Sequence, residues 1–299
     1  MENLREPIEG LIHRHIEAAD ARVWYPHEVT PWILGGDFKT NEEWTSRETQ
    51  LTAGEQSALF VILLTEDNLP YYFEGVRKHT GKGHPLHDIW APLWTSEEGR
   101  HSIVIRDWIS LTGALDLRKL EDARRAQVSS NVAPDPETGI ETLGYTTIQE
   151  PATKVKYGRV IRRADKESYG KKMFGLVAGD ENLHGEFYGG ATEAAVEIDP
   201  STTTIAVAKQ VIYFTFPGVG IPDFTTHQGL IRRERIFGIH ELVNDVHIPT
   251  LNRLGIFKHE GLSSDAEQAR ELLSAHIERL VRIGKKEVER ARELEEASA

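Results

Sequence analysis

Cysteine is absent from this 299-residue chain, and its absence removes several kinds of chemistry at once. Without a thiol the chain can form no disulfide, no thiolate metal site and no cysteine nucleophile. Any metal ligands must therefore be histidines and carboxylates. Carboxylate oxygens combined with imidazole nitrogens suit iron or manganese, with zinc as an alternative.

Long apolar runs and an excess of positive charge are also missing. Apolar runs such as 59–64 are far shorter than the roughly 20 residues that a membrane-spanning helix needs. Residues 1–6 hold no apolar signal segment and are too acidic for a transit peptide. The formal net charge of −12 argues against nucleic acid as the main partner. We therefore expect a cytoplasmic protein with no membrane span and no nucleic-acid partner.

Strand-type alternation and a glycine loop of the P-loop type are lacking as well. The chain has instead long segments of helical periodicity, and its 39% of apolar residues suffice for a substantial core. This pattern predicts an all-α fold with a single domain over residues 1–299. Within it we expect an N-terminal helix and connector (1–52), a central group of helices (53–200) and additional C-terminal helices (201–299).

Periodicity and helix-ending residues give approximate bounds for these helices. Helices are predicted over 1–22, 54–79, 85–113, 117–129, 145–163, 167–198, 202–216, 224–254 and 263–296, with an extended connector over 23–52 and a loop over 131–143. Pro70 removes the amide that would bond the carbonyl of Glu66, so a kink is expected there. The alternative is a helix end at this point, with Asp67 and Asn68 as caps.

Two Glu-x-x-His motifs are candidates for metal binding. Glu98 and His101 form the first, and Glu181 and His184 form the second. A spacing of three residues places both side chains on one face of a helix, where a carboxylate and an imidazole can reach the same ion. Motif counts alone are weak, because chance gives roughly one or two matches in such a chain.

The positions of two further glutamates make the motifs informative. Glu66 lies 32 residues before Glu98, and Glu150 lies 31 residues before Glu181, each within a predicted helix. The order Glu, Glu-x-x-His, Glu, Glu-x-x-His is the ligand set of a four-helix di-iron or di-manganese carboxylate bundle. We therefore predict that these side chains converge on two metal ions. Two exposed helical surface pairs are the alternative.

Four stretches of the chain resemble motifs of the soluble acyl-acyl-carrier-protein (acyl-ACP) desaturases, the stearoyl-ACP desaturase family. They are residues 65–72 (TEDNLPYY), 94–101 (WTSEEGRH), 145–153 (YTTIQEPAT) and 180–184 (DENLH). The C-terminal region after residue 253 looks similar too, so the likeness covers most of the chain. The resemblance implies a homodimeric, ferritin-like four-helix di-iron bundle extended by additional helices.

The resemblance also implies an activity and a set of ligands. The activity is oxygen-dependent desaturation of an acyl chain carried on acyl carrier protein, with two iron ions and two electrons from a ferredoxin-type donor. The family's ligands fall on Glu66, Glu98, His101, Glu150, Glu181 and His184. Glu98 and Glu150 are candidates to span the two irons, and each histidine is a candidate to bind one iron.

Four residues outside the ligand set also match the family. Thr153 matches a threonine beside the oxygen-binding side of the cluster, and Thr65 is a further catalytic candidate. Asp180 and Trp24 match residues proposed to lead electrons through the first histidine to iron. Simple aromatic packing is the alternative for Trp24.

Two residues depart from the family pattern. Pro151 follows a ligand glutamate and would weaken the local helical bonding, which could shift Glu150. Lys156 stands where plant relatives have a small polar residue close to the acyl channel, and a cation in an apolar channel is costly. Either its stem lies along the wall with the ammonium in water, or the channel is shortened or redirected.

Partners and rival functions follow from the same comparison. Two basic groups are candidates for docking an acidic carrier protein, with a solvated helix face as the alternative for each residue. They are Arg232, Arg233 and Arg235, or Arg279, Arg282, Lys285 and Lys286.

The rival functions are a di-iron hydroxylase or oxygenase of a carrier-bound or free acyl chain and, less closely related, a ferritin-like iron-binding protein.

Overall fold

The computed structural model describes residues 1–35, 42–164 and 169–298, and these ranges contain helices and no strand. The all-α prediction is confirmed. The α-helices of the described ranges are α1 Arg5–Asp20, α2 Pro26–Val29, α3 Ala53–Glu66, α4 Leu69–Arg77, α5 Ala91–Thr112, α6 Leu117–Ser130, α7 Gly139–Ala164, α8 Tyr169–Ile198, α9 Pro200–Ile212, α10 Phe224–Arg233, α11 Ile239–Glu241, α12 Ile248–Arg253 and α13 Ser264–Ser298. Two π-helical turns, Leu86–Trp90 and Leu242–His247, lead into α5 and α12.

Four of these helices, α3, α5, α7 and α8, form the centre of the molecule. Helix α7 packs extensively along α8, α3 packs on α5 and α7, and α5 also contacts α8. The outer helices cover this bundle: α1 lies on α8, α9 on α7 and α8, α10 on α3, and α13 on α9 and α11. The arrangement is the expected four-helix bundle with additional helices around it.

Helix α3 places the first predicted ligand. The side chains of Thr52 and Glu55 form a reciprocal capping box at its start, and most of its residues are buried, as in a central helix. The helix ends at Glu66, and α4 begins at Leu69. A continuous kinked helix over 54–79 was therefore the wrong expectation, and a helix end is what the chain forms. Pro70 cannot supply the amide that would continue the hydrogen bonding.

Helix α7 starts earlier than the periodicity predicts, because Thr138 provides a start signal. The hydroxyl of Thr138 accepts a hydrogen bond from the backbone amide of Glu141 at 3.2 Å, so the predicted loop over 131–143 ends before Gly139. The helix continues through Pro151 without a break. The predicted helix over 167–198 begins partly outside the described residues, and α8 is described from Tyr169.

A single helix over 224–254 was also the wrong expectation. Helix α10 ends at Arg233, and Arg235 adopts a left-handed backbone conformation with φ of 54°, which an α-helix cannot include. Ile236 and Phe237 are then buried in the core. Burial of these two side chains, which a one-dimensional pattern does not weigh, accounts for the break.

The N-terminal connector packs onto the bundle through two of its three tryptophans. Trp24 is buried, the indole N–H of Trp44 donates to the carbonyl of Gly113 at 3.0 Å, and Trp32 remains 57% exposed. Residues 36–41 of the predicted connector lie outside the described residues. In the part of the chain that the structure describes, no helix is both long enough and apolar enough to cross a membrane.

Candidate metal centre

The six ligands predicted from the sequence converge inside the bundle. Each of the four central helices contributes at least one of them, and all six side chains are buried. They form two overlapping groups in which the potential ligand atoms lie within 4.8 Å of one another. The first group is Glu66, Glu98, His101 and Glu181, and the second is Glu98, Glu150, Glu181 and His184.

Two glutamates belong to both groups. The two carboxylate oxygens of Glu98 lie 3.3 Å from Nδ1 of His101 and 2.9 Å from Nδ1 of His184. Those of Glu181 lie 3.6 Å and 3.9 Å from the same two nitrogens. Glu98 and Glu181 therefore reach both halves of the cluster, whereas the resemblance implies Glu98 and Glu150 as the spanning pair. Glu150 joins only the half that contains His184.

Asp180 orients the imidazole of His101 from the side opposite the cluster. Oδ2 of Asp180 lies 3.0 Å from Nε2 of His101. Because a carboxylate only accepts hydrogen bonds, Nε2 carries a proton, which leaves Nδ1, on the side of the cluster, as the nitrogen that could bind a metal. Oδ2 also accepts a 3.0 Å hydrogen bond from Nε of Arg100. This contact pattern is typical of a metal-binding histidine and its carboxylate partner.

Trp24 completes this network. Its indole N–H donates to Oδ2 of Asp180 at 3.0 Å, and its ring stacks parallel to His101 with a centroid separation of 6.5 Å. The guanidinium of Arg100 lies over the same ring, 4.8 Å from its centre. Trp24, Asp180 and His101 thus form a continuous chain of contacts from the connector to the cluster, beyond mere aromatic packing.

His184 has a corresponding carboxylate partner that the sequence reasoning missed. Oε2 of Glu97 lies 2.9 Å from Nε2 of His184 and 2.8 Å from Nε2 of His15. Although burial acts against ionisation, these two hydrogen bonds lower the pKa of Glu97 to about 2. The sequence held only two signals of this contact. Glu97 is adjacent to a predicted ligand, and His15 lies on the apolar face of α1.

Tyr157 is a second residue that the sequence reasoning missed. Its hydroxyl, which is completely buried, donates a short hydrogen bond to Oε1 of Glu66. Tyr157 lies two helical turns after Glu150 on α7, so their shared helix face was a signal available in the sequence.

The buried negative charges of the cluster favour the binding of cations. Burial, together with repulsion from neighbouring carboxylates, raises the pKa of Glu66 and of Glu150 well above the ordinary value. Both oxygens of Glu150 and Oε2 of Glu181 are buried without a hydrogen-bond partner among the described residues, and Nδ1 of each histidine faces Glu98 without a hydrogen bond of regular geometry. Four carboxylates and two imidazoles fit two divalent ions with a preference for oxygen and nitrogen ligands, such as iron.

Within the described residues, the hydrogen bonds of the Thr65 and Thr153 hydroxyls go to residues of their own helices and not to the six proposed ligands. The hydroxyl of Thr65 donates to the carbonyl of Val61 at 2.8 Å. The hydroxyl of Thr153 donates to the carbonyl of Gln149 at 3.1 Å and accepts from the amide side chain of the same residue. Their catalytic roles stay predictions.

A narrow cavity, here called the slot, opens against the cluster. Its free volume is about 50 Å³, and Glu66, Glu98 and Glu181 form part of its wall. Its other walls are mostly apolar, with Val76 and Gly75 on α4 and Pro217 among the lining residues. An apolar cavity bordered by candidate metal ligands suits part of a hydrocarbon chain.

Lys156 lies on α7 without lining this slot. It is only 6% exposed, so the expectation that its ammonium lies in water was wrong.

A buried carboxylate and histidine cluster in a four-helix core is typical of carboxylate-bridged metalloenzymes. Comparisons with known proteins identify the family to which the chain belongs. The model of the fatty acid desaturase family matches residues 1–299, and the chain belongs to this family of oxidoreductases.

Similar proteins are found among bacteria and plants. The chain is 26% identical over 306 residues to DesA1 of Mycobacterium tuberculosis, described as an acyl-[acyl-carrier-protein] desaturase, covering 99% of this chain and 89% of that protein. It is 27% identical over 295 residues to the chloroplastic stearoyl-[acyl-carrier-protein] 9-desaturase of Spinacia oleracea, covering 91% and 72%. The X-ray structure of DesA2 from M. tuberculosis H37Rv superposes with a TM-score of 0.69 at 20% identity over 89% of this chain and 98% of that one. The fold is thus the ferritin-like helical fold.

Proposed function

We propose that the protein desaturates an acyl chain carried on acyl carrier protein, using dioxygen and two iron ions held by Glu66, Glu98, His101, Glu150, Glu181 and His184. The observation that carries this proposal is the mostly apolar slot that is bordered by three of these carboxylates. The names of the relatives supply the carrier and the reaction class.

Metal chemistry is needed because a methylene pair has no acidic proton and no leaving group, and a bound di-iron centre supplies the oxidising power. The residues of the chain position the metal ligands and the substrate, and they keep water away from the centre. Asp180 and Glu97 hold the two imidazoles with Nδ1 toward the metals, and the slot fixes which carbons approach them. The buried aromatic and aliphatic walls exclude water from the oxidising centre.

The partners of the proposed reaction are an acyl carrier protein, a ferredoxin-type electron donor and a second copy of the chain in a homodimer. Both candidate docking groups have exposed members. Arg232 and Arg233 are exposed at the end of α10, as are all four basic residues of the second group on α13. Their exposure is compatible with docking an acidic carrier, and neither group is favoured by geometry alone.

The proposal is tested by incubating the iron-loaded protein with acyl carrier thioesters of several lengths, reduced ferredoxin and oxygen. Mass spectrometry of the released acyl chains should show the loss of two hydrogens. A gain of one oxygen would identify a hydroxylase instead. Iron uptake and oxidation without turnover of any chain would favour a ferritin-like role and overturn the proposal.

The electron path through Trp24 gives a separate prediction. Trp24→Phe keeps an aromatic ring against His101 but removes the N–H that donates to Asp180. We expect reduction of the metal centre by ferredoxin, followed anaerobically by stopped-flow spectroscopy, to slow by about tenfold while iron content stays the same. Trp44→Phe, which removes a hydrogen bond far from the cluster, is the matched control. Equal reduction rates in both variants would exclude Trp24 from the path.

A further inference from the structure

His15 is a buried histidine to which the proposed reaction gives no role. It lies on α1, is only 5% exposed, and meets Trp90 edge to face at a centroid separation of 4.8 Å. The same ring stacks on His184, with the ring centres 5.8 Å apart and the planes inclined by 19°. The imidazole of His15 therefore lies beside one of the proposed metal ligands without being a ligand itself.

A single oxygen atom joins these two histidines. Oε2 of Glu97 lies 2.8 Å from Nε2 of His15 and 2.9 Å from Nε2 of His184. Since a carboxylate only accepts hydrogen bonds, both nitrogens carry a proton. In the described ranges these two imidazoles are the hydrogen-bond partners of the Glu97 side chain. His15 is thus the residue that holds Glu97, and Glu97 in turn holds His184.

The other proposed metal-binding histidine is supported in a different way. Oδ2 of Asp180, which faces His101, also accepts hydrogen bonds from Nε of Arg100 and from the indole of Trp24. If one of these two donors is removed, the other still holds Asp180. Glu97 has no second donor of this kind within the described residues. The second imidazole of the cluster therefore depends on one supporting residue, whereas the first does not.

His15 also separates Glu97 from solvent. An open groove of about 910 Å³ runs between α1 and α8, and His15 is among its lining residues, whereas Glu97 is not. The groove is lined by four glutamates as well, Glu6, Glu186, Glu193 and Glu197. Loss of the imidazole would bring water to the carboxylate of Glu97, where it would compete with His184 for Oε2.

We propose that His15 is a positioning residue of the metal centre, which keeps the carboxylate of Glu97 on Nε2 of His184 and so keeps Nδ1 of that ligand directed at one metal. This role rests on the metal centre of the proposed function and not on its substrate or reaction. Loss of a residue that supports a metal-binding imidazole typically lowers metal affinity 10- to 100-fold. The effect should fall on the half of the centre that contains His184.

The test is calorimetric titration of the metal-free full-length chain with Co²⁺, with visible absorption as a second signal. We expect the unmodified chain to bind two ions, and His15→Leu to weaken one of them about 10- to 100-fold while the other changes less than about threefold. His15→Gln should restore most of the affinity, because its amide can donate to Glu97 in place of Nε2. His13→Leu, at an exposed position of the same helix, is the matched control and should bind both ions normally.

A double variant shows whether His15 acts through Glu97. In a Glu97→Ala background the carboxylate that His15 positions is gone, so His15→Leu should lower metal affinity by less than about threefold. An equal effect of His15→Leu with and without Glu97→Ala would indicate a general structural role and would overturn the proposal.

Other results would also contradict the proposal. Two unchanged sites in a folded His15→Leu chain would do so directly. Binding of a third ion that is lost in His15→Leu would mean that His15, Glu97 and His184 hold a metal themselves. No binding of Co²⁺ by the unmodified chain would overturn the proposed metal centre too, which separates the two failures. If His15→Leu fails to fold, nitrogen NMR of the histidine side chains in the unmodified metal-free chain decides, because an unprotonated Nε2 on His15 could not donate to Glu97.

Discussion

Glu150→Gln should have opposite effects on the metal-free and the metal-loaded protein. Glu150 is completely buried, and burial together with repulsion from Glu181 and Glu98 raises its pKa well above the ordinary value of 4.5. Since its folded-state pKa is raised, the metal-free chain loses stability as pH rises above that ordinary value. Glutamine is neutral without taking up a proton, so at pH 7 we expect the metal-free variant to be more stable by roughly 1–3 kcal/mol.

With metal present, the same substitution is expected to be unfavourable. The variant offers a neutral amide where a carboxylate ligand is proposed, so we expect metal affinity to fall more than about 100-fold. Desaturation should fall at least about 1,000-fold, which corresponds to ~4 kcal/mol in the barrier at 1.36 kcal/mol for each factor of ten. Chemical unfolding, metal analysis and product mass spectrometry measure the three quantities.

Glu141→Gln is the matched control for this prediction. Glu141 is another buried glutamate of α7, but it accepts hydrogen bonds from Nζ of Lys209 at 3.0 Å and from the backbone amide of Glu137 at 2.9 Å. Its loss should lower stability with and without metal and leave iron content unchanged. If Glu150→Gln behaved like this control, the carboxylate of Glu150 would be a structural partner and not a metal ligand.

The convergence of the six proposed ligands could be predicted from the sequence because it follows helix geometry. A three-residue spacing fixes two ligands on one face, and the tandem order of Glu66, Glu98, Glu150 and Glu181 repeats that arrangement. The carboxylate that bonds the second histidine, His184, could not be predicted from the sequence. Glu97 and His15 are 82 residues apart, and only the packing of α1 on α8 brings them together.

Helix boundaries were less predictable for a related reason. Periodicity predicts where a helix can form, but long-range burial decides where it stops. Ile236 and Phe237 are drawn into the core and break the predicted helix over 224–254, whereas Pro151 fails to break α7. Close packing of α7 on α8, with the Cβ position of Gly185 only 3.7 Å from Cβ of Glu150, stabilises the helix through the proline.

Gly75→Leu should convert the enzyme to one that accepts only shorter acyl chains. Gly75 lies in α4 and lines the slot, and a Cβ atom added there meets no other atom within 4 Å. The substitution is therefore compatible with the fold, and replacing a helical glycine gains about 0.5–1 kcal/mol in helix propensity. Because Gly75 lines a slot of only about 50 Å³, a leucine side chain that extends into the slot would occupy most of it.

We therefore expect kcat/KM to fall at least about 100-fold, ~2.7 kcal/mol in the barrier, for the longest acyl chain that the unmodified protein desaturates. Chains short enough to end before Gly75 should keep their rates, and iron content should not change. Gly75→Ala should alter the profile less than about threefold, since one methyl group leaves most of the slot open. Gly175→Leu, at an exposed glycine of α8 whose Cβ position is equally open, controls for a general effect of leucine. A Gly75→Leu enzyme with the unmodified chain-length profile would mean that the hydrocarbon reaches the metals by another route, and the slot would lose its place in the mechanism.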